Sequence, residues 1–493
     1  MIPLTHLKTS LFGLGFTLIL SACAGSGGSD SGGNPSSTAT SSSTPASSSS
    51  QPASSLATSS SVSSTSTPSP SSSSSSSLPT HASNGTIYCT SAGEDPDGDG
   101  WGWEKEASCV VRNSVADPDK GDFEGCIIGT LSWQYCTVDN TSWGYEAGAV
   151  CVSQSFCPAN RSATQTAMAE DLSNPASSEK AEAVYDYFRS VWGTKTLSGQ
   201  QDLTWQDSID MYQRVLDDTG KAPAIMGYDF MNYAFTSGDG LQQTEEAIEH
   251  WDRGGLVSFA WHWRDPSDTT SAFYSAETDF QIPIADGQLN TQDPNFTRMQ
   301  ADIDSIAAEL QTLQDAGVVV LWRPLHEASG GWFWWGRSRS DGISPAYAQV
   351  VLWRYIYERM VNHHGLTNLL WVWNGQSAGW YPGDAYVDIV SQDIYDGEQN
   401  YESQIDTYNA VKAFPLQSKL VALSENSNIP GPDNIAEDGA WWLWFMVWND
   451  SNTDAGVTSS NNFWTGEYYN TNAHKLKVYN HDNVITLDEL PDF

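Results

Sequence analysis

Positive charge is scarce in this chain. Twenty-two Lys and Arg face 60 Asp and Glu over 493 residues, a formal charge of −38. A nucleic-acid partner requires cations for its phosphates, and anionic lipid requires the same, so the balance argues against both. A neutral polymer remains open. Apolar runs long enough to span a bilayer are lacking throughout. No GxGxxG or P-loop follows the first strand-like run, which removes support for nucleotide binding. A G-x-S-x-G elbow is missing, and no His or Cys spacing suggests zinc. No cofactor and no metal are therefore expected. Cysteine is absent after Cys157.

What the chain does carry is aromatic: 22 Trp, 20 Tyr and 16 Phe. Flat apolar faces with polar edges suit sugar rings as well as protein cores. Residues 1–22 read as a secretion signal, with Lys8 ahead of an apolar stretch from Leu11 to Leu20. Leu20-Ser21-Ala22-Cys23 resembles the lipobox of bacterial lipoproteins. That resemblance implies acylation at Cys23 and an exported protein held at the outer membrane or cell surface by its lipid alone. Residues 23–82 are a Ser/Pro/Thr-rich linker, with 26 Ser among residues 31–80. Such a composition cannot bury a core, and as a flexible tether it reaches ~40 Å.

Apart from Cys23, the six cysteines all fall between 89 and 157, as in a disulfide-stapled exported region. This region contains a repeat. Gly85-Thr86, Cys89, Trp101-Gly102-Trp103-Glu104 and Cys109 correspond to Gly129-Thr130, Cys136, Trp143-Gly144-Tyr145-Glu146 and Cys151. If the copies share a fold, Cys89–Cys109 and Cys136–Cys151 pair equivalently and Cys126–Cys157 is left over. The boundaries read as modules over 83–118 and 122–158, with a linker over 159–178. Asp95, Asp97, Asp99 and Glu106 satisfy a calcium-loop spacing. Gly102 stands where a hydrophobic residue belongs, however, and neither flank is helical, so the segment reads as a solvated acidic turn.

From 179 to 493 strand-like and helical patterns alternate. The strand-like runs are 196–200, 224–230, 256–263, 318–327, 369–375, 388–395, 420–426 and 442–449, several of them almost continuously apolar. Such runs suit parallel strands buried on both faces. Helical patterns lie near 207–218, 241–253, 345–363 and 402–413. The clearest is Phe296, Met299, Ile303, Ile306, Leu310 and Leu313, spaced by three and four. Eight such units predict an α/β fold, a (β/α)8 TIM barrel, with a doubly wound open sheet as the alternative. Trp334, Trp335, Trp441, Trp442 and Trp444 are expected to pack in the core or loops.

Catalytic groups of a barrel sit at the C-terminal ends of its strands. There the sequence places Glu327 and Glu425, on the fourth and seventh runs, among Trp, Tyr and His. Two carboxylates on different strands of one mouth fit glycoside hydrolysis.

Arg323-Pro324-Leu325-His326-Glu327, the following Gly330-Gly331-Trp332-Phe333-Trp334-Trp335-Gly336, and Ser424-Glu425-Asn426 resemble glycoside hydrolase family 26. These enzymes are mostly β-mannanases. The resemblance implies Glu327 as acid/base and Glu425 as nucleophile of a retaining mechanism. It implies that His326 lines the cleft, Tyr395 bonds the nucleophile, Trp448 lies beneath the reacting sugar, His262 contacts that sugar, and Trp332 borders the leaving group. The implied substrate is a β-1,4-mannan, glucomannan or galactomannan. A β-1,3-xylanase or mixed-linkage β-glucanase on the same barrel, and a non-catalytic carbohydrate-binding surface lipoprotein, are the alternatives.

The second module resembles carbohydrate-binding module family 10 over 126–157, which implies cellulose as a partner. Trp133, Trp143 and Tyr145 would be its stacking residues, with Tyr145 where Trp is usual. The first copy, with Trp101 and Trp103, lacks the outer Cys pair. If the retaining reading holds, the Glu327 and Glu425 carboxyls stand ~5–5.5 Å apart in the fold, whereas ~9 Å would indicate inversion.

Overall fold

The structure is a computed structural model. It describes residues 165–493 apart from 205–208, 235–241, 268–269 and 451–461. Of the region before, it describes 81–82, 86–89, 101–104, 107–110, 116–118, 125–128, 131–138, 142–146 and 148–157. Cys23, the Ser-rich segment and the acidic turn at Asp95–Asp99 lie outside the described residues.

Seven parallel strands form one sheet in sequence order. They are β1 (Gly199–Gln201), β2 (Ile225–Asp229), β3 (Leu256–Trp261), β4 (Val320–Pro324), β5 (Leu369–Trp373), β6 (Ile389–Ile394) and β7 (Leu420–Asn426). The eighth expected run is not a continuous ladder, but it closes the barrel. Phe445 and Val447 donate backbone N–H groups to Leu197 and Gly199 on one side. On the other side, Leu423 and Asn426 donate to the carbonyls of Trp444 and Met446. Gly199 is required at this seam, because a Cβ there would sit 2.4 Å from the Phe445 carbonyl oxygen.

Alternate residues along each strand enter two apolar clusters, as expected for strands covered on both faces. Ile225, Leu256, Leu321, Leu370, Ile389 and Leu420 share one cluster with Ala181, Val184, Tyr185 and Phe188 of α1 (Glu179–Val191). Met226, Val257, Trp322, Trp371, Val390 and Val421 share the other with residues of the surrounding helices. Those helices are α2 (Met211–Thr219), α3 (Gln243–Asp252), α4 (Pro294–Asp315), α5 (Pro345–Glu358), α6 (Ile405–Lys412), α7 (Pro432–Asp438) and α8 (Asn472–Tyr479). α4 is capped by the Asp293 side chain, has Pro294 in its first turn, and buries the six residues its spacing predicts. Trp334, Trp335, Trp442 and Trp444 are buried, and Trp441 is half-buried. Among the described residues no helix is long and apolar enough to cross a membrane.

The segment expected to be a linker differs from that expectation. From residue 165 it is laid on the barrel: Thr166 pairs with Gln417, Leu172 is buried, and Asn174 donates to the Leu366 carbonyl. Leu172 draws the chain onto the apolar surface near α1, which a free tether would leave exposed.

The repeat is structural. In the first copy Ile87–Tyr88 runs parallel to Ala107–Val110, which pairs antiparallel with Trp101–Glu104. In the second, Leu131–Tyr135 runs parallel to Ala149–Val152, which pairs antiparallel with Trp143–Glu146. Gly102 faces Cys109 as Gly144 faces Cys151. The disulfides are Cys89–Cys109, Cys126–Cys157 and Cys136–Cys151. The second copy's Glu146 accepts from the Thr137 N–H at 2.7 Å and the Val138 N–H at 3.1 Å, so it closes the turn after Cys136.

The stacking surface expected on the second module is not open. Trp143 is 1% exposed and donates its indole N–H to the Gly379 carbonyl of the barrel at 2.6 Å. Tyr145 is half-buried and stacked on Tyr347, and Trp133 is half-buried with its ring edge-on to Trp143. The physical reason is that a large apolar ring is buried wherever a fitting surface lies within reach, and the barrel supplies one. Trp101 and Trp103 lie in a strand, but their side chains are outside the described residues.

Leu310→Ala, at the buried face of α4, is expected to destabilise the barrel by about 2–5 kcal/mol, read as a lowered thermal midpoint with an unchanged native spectrum.

Candidate active site

β4 ends at Pro324, and the chain then turns sharply. Leu325 and Glu327 take φ of 52° and 53°, a left-handed backbone that non-glycine residues adopt only under external constraint. The constraint is visible: the Glu327 N–H donates to the Asn374 carbonyl at 2.7 Å and the Trp335 indole donates to the His326 carbonyl at 2.8 Å. This holds the Glu327 side chain at the C-terminal mouth.

Its two oxygens accept from different neighbours, Oε2 from Trp332 Nε1 at 2.8 Å and Oε1 from Gln376 Nε2 at 3.0 Å. Gln376 is oriented in turn by Gln392, which donates to its Oε1 at 2.8 Å. The Trp332 ring lies against Gly330, where a Cβ would be 2.1 Å from the indole.

Glu425, on β7, is held differently. Oε1 accepts from Arg323 Nη2 at 2.5 Å and Oε2 from the Tyr395 hydroxyl at 2.6 Å. The Tyr395 ring is 43% exposed at the mouth, while its hydroxyl turns inward. Arg323 also reaches Asp393 at 3.3 Å, and Asp393 accepts from Asn374 at 2.7 Å. A register shift in β6 between Gln392 and Asp393 accompanies this aim. One oxygen from each of Glu327, Asp393 and Glu425 lies within 4.8 Å of the others. The cation among them is the Arg323 guanidinium, held above its ordinary pKa by Glu425 and Asp393 although burial works against its charge.

The two glutamates thus meet opposite surroundings. Burial, and then the Glu425 charge, push the Glu327 carboxyl up to about 7. Glu425 accepts from a guanidinium and a phenol. One acid able to donate a proton near neutrality therefore faces a second carboxyl group, held by Arg323 and Tyr395, across a short gap. A glycosidic bond placed there would meet a proton donor and a second carboxyl group on opposite walls of one mouth.

His262 and His326 complete one wall. His262 Nδ1 bonds Asp229 Oδ2, and its Nε2 lies 3.1 Å from His326 Nε2. Burial lowers both rings, but Asp229 overcomes it for His262, which is raised, whereas His326 is held well below the ordinary range. A hydrogen bond between the two Nε2 atoms needs one proton, carried by one ring and accepted by the other. Trp448 is half-buried, with its ring centroid 5.8 Å from that of His262.

The structure thus brings together Glu327, Glu425, His262, His326, Trp332, Tyr395 and Trp448. Trp133, Trp143 and Tyr145 are not among them. The reading from sequence missed Asp229, Asn374, Gln376, Gln392 and Asp393. Asp229 and Asp393 end or nearly end barrel strands, so the rule that found Glu327 also pointed to them. The amides carried no signal of their own.

The family model for glycosyl hydrolase family 26 matches residues 173–489. The chain belongs to this family. A mannan endo-1,4-β-mannosidase of Thermothelomyces thermophilus is 42% identical over 330 residues, covering 65% of this chain and 63% of that protein. The mannan endo-1,4-β-mannosidase B of a Piromyces species is 33% identical over 334 residues, covering 65% and 54%. The family 26 chain described here thus spans less than two thirds of these relatives' length. Among solved family structures, the Podospora anserina GH26-CBM35 β-(1,4)-mannanase is 36% identical with a TM-score of 0.57, covering 69% of this chain and 71% of that one. A β-mannanase from a symbiotic protist of the termite Reticulitermes speratus, complexed with a gluco-manno-oligosaccharide, is 31% identical with a TM-score of 0.59. That match covers 67% of this chain and 100% of the protist chain.

Because the folded state keeps the Glu327 proton up to about 7, it binds more protons than the unfolded chain above the ordinary carboxyl value of 4.5. Wild-type stability therefore falls as pH rises through that window. Glu327→Gln is expected to gain thermal stability over wild type between pH 4.5 and 7, with a constant difference above, in paired melts across pH.

Proposed function

We propose that this chain is a retaining endo-β-1,4-mannanase acting on mannan, glucomannan or galactomannan. The observation that carries the reading is the short gap between a raised, neutral Glu327 and a Glu425 tied to Arg323 and Tyr395. The family's named relatives supply the substrate class.

In the first step Glu425 attacks the anomeric carbon while Glu327 gives its proton to the departing glycosidic oxygen. A glycosyl–Glu425 ester forms and the leaving-group chain departs. In the second step the Glu327 carboxylate takes a proton from water, whose oxygen attacks the same carbon and releases Glu425. Tyr395 and Arg323 orient Glu425 and leave one face of it free to attack. Trp332 and Gln376 hold Glu327 toward the leaving group. His262 and His326 line the cleft beside the reacting sugar, and Trp448 lies beneath it.

We also propose export as a lipoprotein acylated at Cys23, on the outer membrane or cell surface, with the Ser-rich segment as a tether. Cellulose attachment falls to the first module's Trp101 and Trp103 and to Trp133, since Trp143 is buried. Retention of the full chain on microcrystalline cellulose, lost on joint Trp101→Ala and Trp103→Ala substitution, checks that assignment.

The full chain is expected to release reducing sugar from glucomannan and galactomannan faster than from β-1,3-xylan or barley β-glucan. Glu327→Ala lowers kcat by about 10²–10⁴-fold, and Glu425→Ala abolishes turnover. kcat/KM falls as pH rises through about 7, where Glu327 loses its proton. The β-anomer is the first product seen by NMR. An α-anomer, or turnover confined to xylan or glucan, would reject the mechanism or the substrate respectively.

A further inference from the structure

The loop after β5 joins two features that the proposed reaction does not by itself connect. At its start is Gln376, with φ of 59° and its amide on the Glu327 carboxyl. A glutamine in that backbone region needs to be held from outside. A few residues on, the loop makes a short turn over Ala378–Trp380, and its carbonyls point at the second disulfide module. Gly379 accepts from the Trp143 indole at 2.6 Å, and Tyr381 from the Ser142 hydroxyl at 2.8 Å. Arg354 of α5 ties both parties together, donating to the Pro382 carbonyl at 2.8 Å and to the Trp143 carbonyl at 3.2 Å.

The contact extends beyond these bonds. Tyr145 stacks on Tyr347 with ring centroids 6.3 Å apart and planes at 26°, and Tyr347 donates to the Gly287 carbonyl at 2.6 Å. A Cβ on Gly287 would come within 2.1 Å of the Tyr145 ring, so the barrel surface is shaped to admit it. Cys126, Trp143, Val152, Phe156 and Cys157 belong to the same apolar cluster as the barrel's outer strand faces. Only residues 158–164 separate Cys157 from the segment laid on the barrel at 165. A connector that short keeps the module at an effective concentration on the order of mM against its docking surface.

We propose that the second disulfide module is a brace of the catalytic unit. By holding the Gly379–Tyr381 turn, Trp143 and Ser142 keep Gln376 on the Glu327 carboxyl, and while docked the module presents its Trp143–Tyr145 face to the barrel and not to glucan. Trp143 and Gln376 are positioning residues in this scheme. The inference rests on Glu327 acting as the acid/base.

Trp143→Phe in the full chain keeps the ring packing and removes the bond to Gly379. It is expected to lower kcat about fivefold, since small misplacements near the reacting atoms are costly, with KM within about twofold. Gln376 donates to the carboxylate form, so loosening it moves the alkaline limb of the kcat/KM profile to higher pH. Gln376→Ala should move that limb in the same direction, and the double variant no further, because both act through one contact. Amide exchange at Trp380 and Tyr381 should speed up in Trp143→Phe, and cellulose retention should not change. Ser142→Ala repeats the test with a smaller lesion. An unchanged limb and exchange rate in both module variants, independent additive shifts in the double variant, or loss of cellulose retention with normal kinetics would each overturn the brace. Full activity in Glu327→Ala would instead sink the acid/base assignment, and the exchange result would still report docking.

Discussion

The buried Arg323 guanidinium is the contact on which the mouth of this barrel depends. A charge with 2% exposure must be matched inside the protein, and Arg323 is matched by carboxylates from two other strands, Asp393 on β6 and Glu425 on β7. That one requirement locks β4, β6 and β7 in register at their C-terminal ends. It also divides the acids. Glu425 sits on the cation, while Glu327 accepts from the neutral Trp332 and Gln376 and keeps its proton to about 7. Two identical side chains thereby acquire different chemistry from their surroundings.

The same logic extends outward in layers. Asp393 is aimed by a bulge and by Asn374, Asn374 also takes the Glu327 backbone N–H, and the strained turn carrying Glu327 is closed by Trp335 on the His326 carbonyl. Strain at Leu325, Glu327 and Gln376 is tolerated because each lies beside a well-packed or hydrogen-bonded neighbour. The disulfide module fits this picture as one more layer. Too small to bury its own tryptophans fully, it shares an apolar cluster with the barrel.

Much of this was legible in the residues. Seven of the eight apolar runs form strands of the sheet, and the three-and-four spacing of Phe296 to Leu313 forms one buried helix face, because these patterns are local in the chain. The repeat of Cys, aromatic and Glu reappears as the same hairpin pairing in both copies, Gly102 opposite Cys109 and Gly144 opposite Cys151. The motif around Glu327 and Glu425 located the mouth. The packing of residues 165–178 is not legible in the sequence because polar composition hides single anchors such as Leu172 and Asn174.

What the sequence by itself determined is the order of elements, the barrel class and the identity of two carboxylates at strand ends, since these follow from local patterns. Only the tertiary structure decided which acid keeps a proton, which histidine meets Asp229, and that Trp143 faces the barrel. Each of those depends on distances between groups remote in the chain: Glu327 to Glu425, His262 to Asp229, Trp143 to Gly379. Coulomb energy, burial and hydrogen bonding are set by separation in space, and chain position carries no measure of it.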